Sequence, residues 1–225
     1  MHKVIPAGEN SILIYFGKEI DSSLPAKIKK FSEVLEKKFP NFLIETIPSY
    51  TTLHITYNLD LYKKKYNELI EEIKKIPENK TTIKSRLINI PVYYGFEVGL
   101  DLETILKEKK ITLDDFVKIH SSKEYLVHAV GFSPCFAFLG KVDKKIQKPR
   151  LKTPRVEISA GSVGIAEMQT AVYPINSSGG WNIVGKTFLD MSLKNPLNIS
   201  KFNIGDRVKF NPIDKKTFIQ NGGKL

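Results

Sequence analysis

With 225 residues, 41% of them hydrophobic, the chain can hold one large domain or two ordinary ones around a substantial core. Its formal charge of +11 raises nucleic acid or an acidic partner as ligands. The lysines fall mostly as KK pairs on amphipathic stretches, however, and no sustained basic block occurs. That favours a solvated surface and no nucleic acid. A single cysteine, Cys135, excludes an intrachain disulfide framework. The first residues lack a signal-peptide core, and no apolar run reaches membrane-spanning length. The expectation is a soluble, cytoplasmic chain without membrane contact.

In the first half, residues 11–16 read as a strand. Asp21, Ser22 and Ser23 are cap candidates, and Pro25 suits a first helical turn. Ile28, Phe31, Val34, Leu35 and Phe39 then recur at helical spacing until Pro40. Residues 42–47 and 52–57 read as strands joined near Pro48, 61–76 as a second amphipathic helix, and 81–90 as a further strand. The order βαββαβ predicts a ferredoxin-like domain with two helices on one face of an antiparallel sheet. His54 lies in the third strand with no partner at metal-ligand spacing, which favours a structural histidine and no metal site.

The second half begins with a loop after Pro91. Asp101 is placed to cap a short helix through Lys109, and Thr112 with Asp115 to cap another ending near His120. Residues 124–131 form an apolar strand that runs into an aromatic loop containing Phe132, Pro134 and Cys135. A basic tract from Lys141 to Arg155 reads as an exposed loop. Short strands punctuated by Gly161, Gly164, Gly179, Gly180 and Gly185 follow, and a last turn and strand lie at 205–210. Many short strands with little helix predict a barrel or sandwich. The expected division is a domain at 1–85 and a second at 86–225.

Residues 180–187, GWNIVGKT, fit the P-loop pattern GxxxxGK[ST] formally. A P-loop joins a buried strand to a helix so that backbone amides and the helix N-terminus cradle phosphate. Trp181, Ile183 and their neighbours alternate like a strand, and no helical pattern follows. The match is therefore read as formal only, with Lys186 at the turn after a strand. Cys135 could be a nucleophile or an inert half-buried thiol. Arg155 could grip a carboxylate or phosphate bidentately or make an ordinary ion pair. His120 could be a general base or a helix-terminal cation. Gln169 and Tyr173 alternate along one strand and could face a common pocket, or Tyr173 could be core.

Three blocks carry a resemblance: IPVYYGFEVGLDL at 90–102, HSSKEYLVHAVGFSPCFAFLG at 120–140, and TPRVEISAGSVGIAEMQTAVYP with SSGGWNIVGKT between 153 and 187. In order and spacing they resemble the family of the 5-oxoprolinase B subunit, also called allophanate hydrolase subunit 1, which includes the kinase inhibitor KipI. This chain has Cys135, Lys141, Glu167 and Ala171 where that family's pattern carries glycine, and Lys186 where it carries arginine. Ser159, Ser178 and Phe188 also depart from the pattern. Glu167 puts a charge where the family has no side chain, so a pocket there is expected to be smaller or differently charged.

The resemblance implies a ferredoxin-like domain followed by a cyclophilin-like β-barrel. It implies a unit formed with the homologous C subunit of 5-oxoprolinase. With the A subunit of that enzyme, the unit uses ATP to open 5-oxoproline to glutamate. ATP, with magnesium, is then a co-substrate and no tightly bound cofactor is expected. Arg155, His120 and Gln169 are the expected catalytic groups. Lys152, Ser162, Tyr173, Phe132, Pro134, Gly179, Gly180 and Trp181 are the expected substrate- or ATP-binding groups. The alternatives are an inhibitor that docks on a sensor histidine kinase, and a subunit of the allophanate hydrolase or urea carboxylase type.

Overall fold

A computed structural model of the chain describes residues 3–76 and 85–225. The chain divides into two compact units, Met1–Lys84 and Ser85–Leu225. The first is a four-stranded antiparallel sheet with two helices. Strands β1 (Lys3–Gly8) and β2 (Ser11–Tyr15) form a hairpin and α1 (Leu24–Lys38) follows. A second hairpin, β3 (Leu43–Ser49) and β4 (Thr52–Tyr57), leads to α2 (Tyr62–Lys75). The sheet order is β1-β2-β4-β3.

Alternation in β4 buries Leu53, Ile55 and Tyr57 on the face where α1 presents Ile28, Phe31 and Leu35 at helical spacing. Each such side chain contributes about 1.5–3 kcal/mol when taken out of water. Ser23 stands at the α1 N-cap without a side-chain bond to the helix. Its own N–H and hydroxyl donate to Asp21 Oδ1, at 2.8 and 2.5 Å.

The order of elements corrects the βαββαβ expectation. The sheet edge beside β2 is taken by β1, from the N-terminal side, which the sequence reading missed. Of the strand expected at 81–90, residues 81–84 lie outside the described residues. Its last part, from Leu87, belongs to β5 of the other unit. Strand propensity marks a segment as extended; it does not say which sheet the segment joins.

The second unit is a closed mixed barrel. Its strands are β5 (Leu87–Tyr93), β6 (Glu124–Val130), β7 (Ala137–Gly140), β9 (Ser162–Ala166), β10 (Gln169–Val172), β12 (Asn182–Lys186) and β13 (Arg207–Ile213), in the order β10-β7-β6-β13-β5-β12-β9. The β9–β10 pairing closes it, and only β13–β5 is parallel. Strands β8 (Arg155–Ile158) and β11 (Ser177–Gly179) form a separate two-stranded sheet.

Helices α3 (Leu102–Lys109) and α4 (Leu113–Ser121) add Leu102, Ile105 and Phe116 to the barrel core. The predicted capping box of α4 is present, with Thr112 and Asp115 bonded reciprocally. A short helix α5 (Lys215–Gln220), absent from the sequence reading, buries Phe218 against Tyr93. The basic tract is anchored where an exposed loop was expected: Val142 and Ile146 are core residues, and the Glu167 N–H donates to the Lys148 carbonyl at 2.8 Å. Among the described residues no helix is long and apolar enough to cross a membrane.

Candidate functional site

Strand alternation gives the barrel two apolar faces. Val163, Ile165 and Val172 point into the core, while Ala166, Ala171, Tyr173 and Ile183 join a second cluster. That cluster is built on Phe136, which meets Phe138, Tyr173 and Trp181 edge-on at ring separations of 4.9, 5.3 and 5.6 Å. The loop before β7 has Phe132 and Cys135 at φ of 72° and 67°. This bend brings the Phe132 ring to 5.2 Å from Phe136 while leaving Phe132 66% exposed.

Phe132, Phe136, Phe138, Tyr173, Gly179, Trp181 and Arg150 line a pocket of about 120 Å³. Gly179 is required there. A Cβ on it would be driven into the Tyr173 hydroxyl and stand 2.9 Å from Ile158 Cδ1. Burial pushes the Tyr173 phenol up, opposed by the Trp181 backbone N–H and by the charges of Arg150 and Arg155. The Leu151 N–H donates to the Gly180 carbonyl at 2.8 Å, which fixes the chain beside Arg150.

Four expected site residues therefore meet in one pocket: Phe132, Tyr173, Gly179 and Trp181. Gly180 adjoins it, 3.7 Å from the Arg150 Nε at its built Cβ. Exposed Lys152 and Pro134 do not line it, nor does Gln169, whose neighbour Thr170 points inward. Ser162 is elsewhere, at the start of β9, where its hydroxyl lies 3.2 Å from that of Ser159. It lines a cleft of about 360 Å³ with Glu97, Glu157 and Lys186.

Lys186 is the last residue of β12 and pairs with both Ser162 and Tyr93. Burial, with Lys224 nearby, lowers its ammonium pKa, which corrects the expectation of a solvated turn lysine. A strand leads to Lys186 and no helix leaves it, so residues 180–187 are not a P-loop.

Arg155 does grip a carboxylate, but the carboxylate belongs to the protein. Its guanidinium donates to Asp101 Oδ2 at 2.9 Å and Oδ1 at 2.8 Å. Asp101 stands at the N-cap of α3 without capping it; its Oδ2 accepts the Ile183 N–H at 2.7 Å instead. Arg155 thus ties β8 to the start of α3 and to β12, the ion-pair reading of the two that its sequence position allowed.

His120 lies in the last turn of α4, but burial keeps it neutral, which corrects the helix-terminal cation reading. It is buried between Phe116 and Phe210, with Nδ1 2.7 Å from the Tyr94 hydroxyl and Nε2 3.0 Å from Thr170 Oγ1. Thr170 donates its own proton to the Gly164 carbonyl at 2.9 Å. The network therefore assigns the His120 proton to Nε2 and leaves Nδ1 to accept from Tyr94. Burial, with Lys123 adding to it, pushes its pKa down to about 3. Cys135 is buried, its thiol donates to the Asn198 carbonyl at 3.0 Å, and burial raises its pKa.

Glu167 and Cys135, two of the positions where the resembling family carries glycine, have φ of 53° and 67°. This left-handed backbone is one that glycine adopts without the strain a Cβ brings. Glu167 is exposed and lines neither the aromatic pocket nor the cleft beside Ser162. Arg150, Phe136 and Phe138 were missed as site residues. Arg150 sat unremarked in a tract of seven basic side chains read as a loop, and the two phenylalanines had only their i, i+2 spacing to mark a shared face.

Comparison with known proteins gives these features a lineage. The family model "Carboxyltransferase domain, subdomain C and D" matches residues 2–196. The B subunit of 5-oxoprolinase from Bacillus subtilis (strain 168) is 35% identical over 229 residues, covering 96% of this chain and 95% of that protein. The crystal structure of TTHA0988 superposes with a TM-score of 0.79 at 27% identity, over 90% of this chain and 39% of that one. This chain thus spans about two fifths of the length of that protein. The Kluyveromyces lactis urea amidolyase structure shares the fold, with a TM-score of 0.78 at 18% identity over 97% of this chain and 15% of that one. With the family match running through both units and across every strand that walls the aromatic pocket, the chain belongs to the carboxyltransferase-domain family, subdomains C and D.

Proposed function

We propose that the chain is the B subunit of an ATP-dependent 5-oxoprolinase, acting with the A and C subunits to convert 5-oxo-L-proline to L-glutamate in the cytoplasm. The observation that carries this reading is the likeness to the Bacillus subtilis B subunit, which runs along 96% of this chain. On this reading the first unit is the N-terminal domain of that family, a four-stranded antiparallel sheet with two helices, and the second is its cyclophilin-like domain.

A lactam is a poor electrophile, and transfer of a phosphoryl group from ATP to its oxygen makes it a better one. Such a step rests on positioning and charge stabilisation more than on covalent help from the protein. This chain supplies a small aromatic pocket with a guanidinium beside it. Among the described residues no group of three His, Cys, Asp or Glu side chains could hold a metal. On this reading magnesium enters with the ATP phosphates.

The test is ATP-dependent glutamate formation from 5-oxoproline by this chain alone, then with the C and A subunits. Turnover is expected only from the full set. Inactivity of the complete, assembled set overturns the reading, and full turnover by the lone chain overturns the subunit role.

A further inference from the structure

The chain has four arginines: Arg86, Arg150, Arg155 and Arg207. Three are satisfied by carboxylates of the protein. Arg86 meets Asp206 at 2.5 Å, Arg155 meets Asp101 at 2.8 Å and Arg207 meets Glu124 at 2.7 Å. Arg150 has no acidic partner among the described residues, and it is the one that lines the aromatic pocket. A guanidinium is a planar fork that stays charged and binds carboxylates bidentately. Set beside five aromatic rings, this one lacks the anion that the other three have.

The pocket holds about 120 Å³, roughly the volume of four waters. That suits one small ring. Trp181, Phe136 and Phe138 offer ring edges and faces to a flat group. Among the described residues nothing accepts the Tyr173 hydroxyl proton, so a carbonyl on the ring can take it.

We propose that this pocket is a subsite for a compact cyclic monocarboxylate, with the ring among Phe136, Phe138 and Trp181 and the carboxylate on Arg150. Naming 5-oxoproline as the occupant rests on the function proposed above; the ligand class does not. Arg150 is then the specificity-determining anchor. A ring without a carboxylate, or a carboxylate without a ring, satisfies half of the site.

Trp181 is the only tryptophan, so its fluorescence reports this pocket directly. The full chain is titrated with 5-oxo-L-proline, cyclopentanecarboxylate, 2-pyrrolidinone and acetate. The two cyclic carboxylates are expected to give saturable changes, and the other two to bind at least about tenfold more weakly. Arg150→Lys should weaken binding of the cyclic carboxylates about ten- to a hundredfold by losing the bidentate contact, and Arg150→Ala at least as much. Arg150 is exposed, and unchanged circular dichroism checks that both variants fold.

Equal binding of 2-pyrrolidinone and 5-oxoproline, or binding unchanged in Arg150→Ala, overturns the subsite even if the assembled complex turns over. Arg150-dependent binding of cyclopentanecarboxylate by a chain whose complex makes no glutamate upholds the subsite and rejects the 5-oxoprolinase reading. A Trp181 signal that responds to none of the four, while the wild-type complex turns over, places the substrate elsewhere and also overturns it.

Discussion

Arg155 and Asp101 form a two-bond pair across 54 residues of sequence, and the same carboxylate receives the backbone N–H of Ile183. One acidic side chain therefore joins β8, the start of α3 and the start of β12. Removing the guanidinium leaves a mostly buried carboxylate short of donors, which typically costs about 1–3 kcal/mol. Arg155→Ala is expected to lower the urea midpoint accordingly. Arg155→Lys should recover part of the loss, because an ammonium cannot reproduce the fork. Cyclic carboxylate binding by the folded fraction, read from Trp181, should change less than in the Arg150 variants. An unmoved midpoint in Arg155→Ala would refute the structural role.

His120 makes stability depend on pH. The unfolded chain takes up a proton there near pH 6.5, while the folded chain refuses it until about pH 3. Protons bound only by the unfolded state destabilise the fold, so this contribution is complete above pH 6.5 and is lost as pH falls toward 3. The slope is about 1.4 kcal/mol per pH unit. His120→Gln should be less stable throughout, with a flatter profile between pH 6.5 and 5, above the range where most carboxylates titrate. Equal slopes for the two proteins in chemical denaturation would show that His120 protonates without penalty.

At Glu167 the usual effect of glycine should reverse. A left-handed residue with a Cβ costs roughly 1–2 kcal/mol, against about 0.5–1 kcal/mol for the extra freedom of glycine when unfolded. Glu167→Gly is expected to leave stability equal or raise it by up to about 1 kcal/mol, with ligand binding unchanged. A drop in the denaturation midpoint would mean that the carboxylate does something its exposed position does not reveal.

Cys135 should behave as a packed, protonated thiol. Its hydrogen bond to the Asn198 carbonyl and its burial both oppose thiolate formation. Alkylation at neutral pH is expected to be at least about tenfold slower in the folded chain than in urea, and Cys135→Ala should retain turnover in the assembled complex. Rapid modification of the folded chain with loss of turnover would restore the nucleophile reading.

What the sequence disclosed was local. Pro25 and the Ile28–Phe31–Leu35 spacing marked α1, and Thr112 with Asp115 marked the start of α4, because those signals act within one or two turns. The glycine-punctuated strands announced tight β-structure for the same reason. The pairing of Leu87 with Arg207 and the meeting of His120 with Tyr94 and Thr170 depend on residues brought together by closure of the barrel. No local pattern carries them. Half of the aromatic pocket was visible as residue types; Arg150 was not, since what sets it apart is a missing partner.

The parallel β5–β13 ladder also fixes a timetable. Leu87 through Tyr93 pair in register with Arg207 through Ile213, so the barrel cannot close until a segment some 120 residues downstream has been made. During synthesis β5 and β6 wait with one edge each uncovered, the template on which extended chains adhere to one another. Pairings this distant in sequence are slow to form. Expression yield should therefore be governed by how long β13 is delayed: slow translation before residue 207, or truncation there, should send the chain to aggregates while α1 and the first sheet still form.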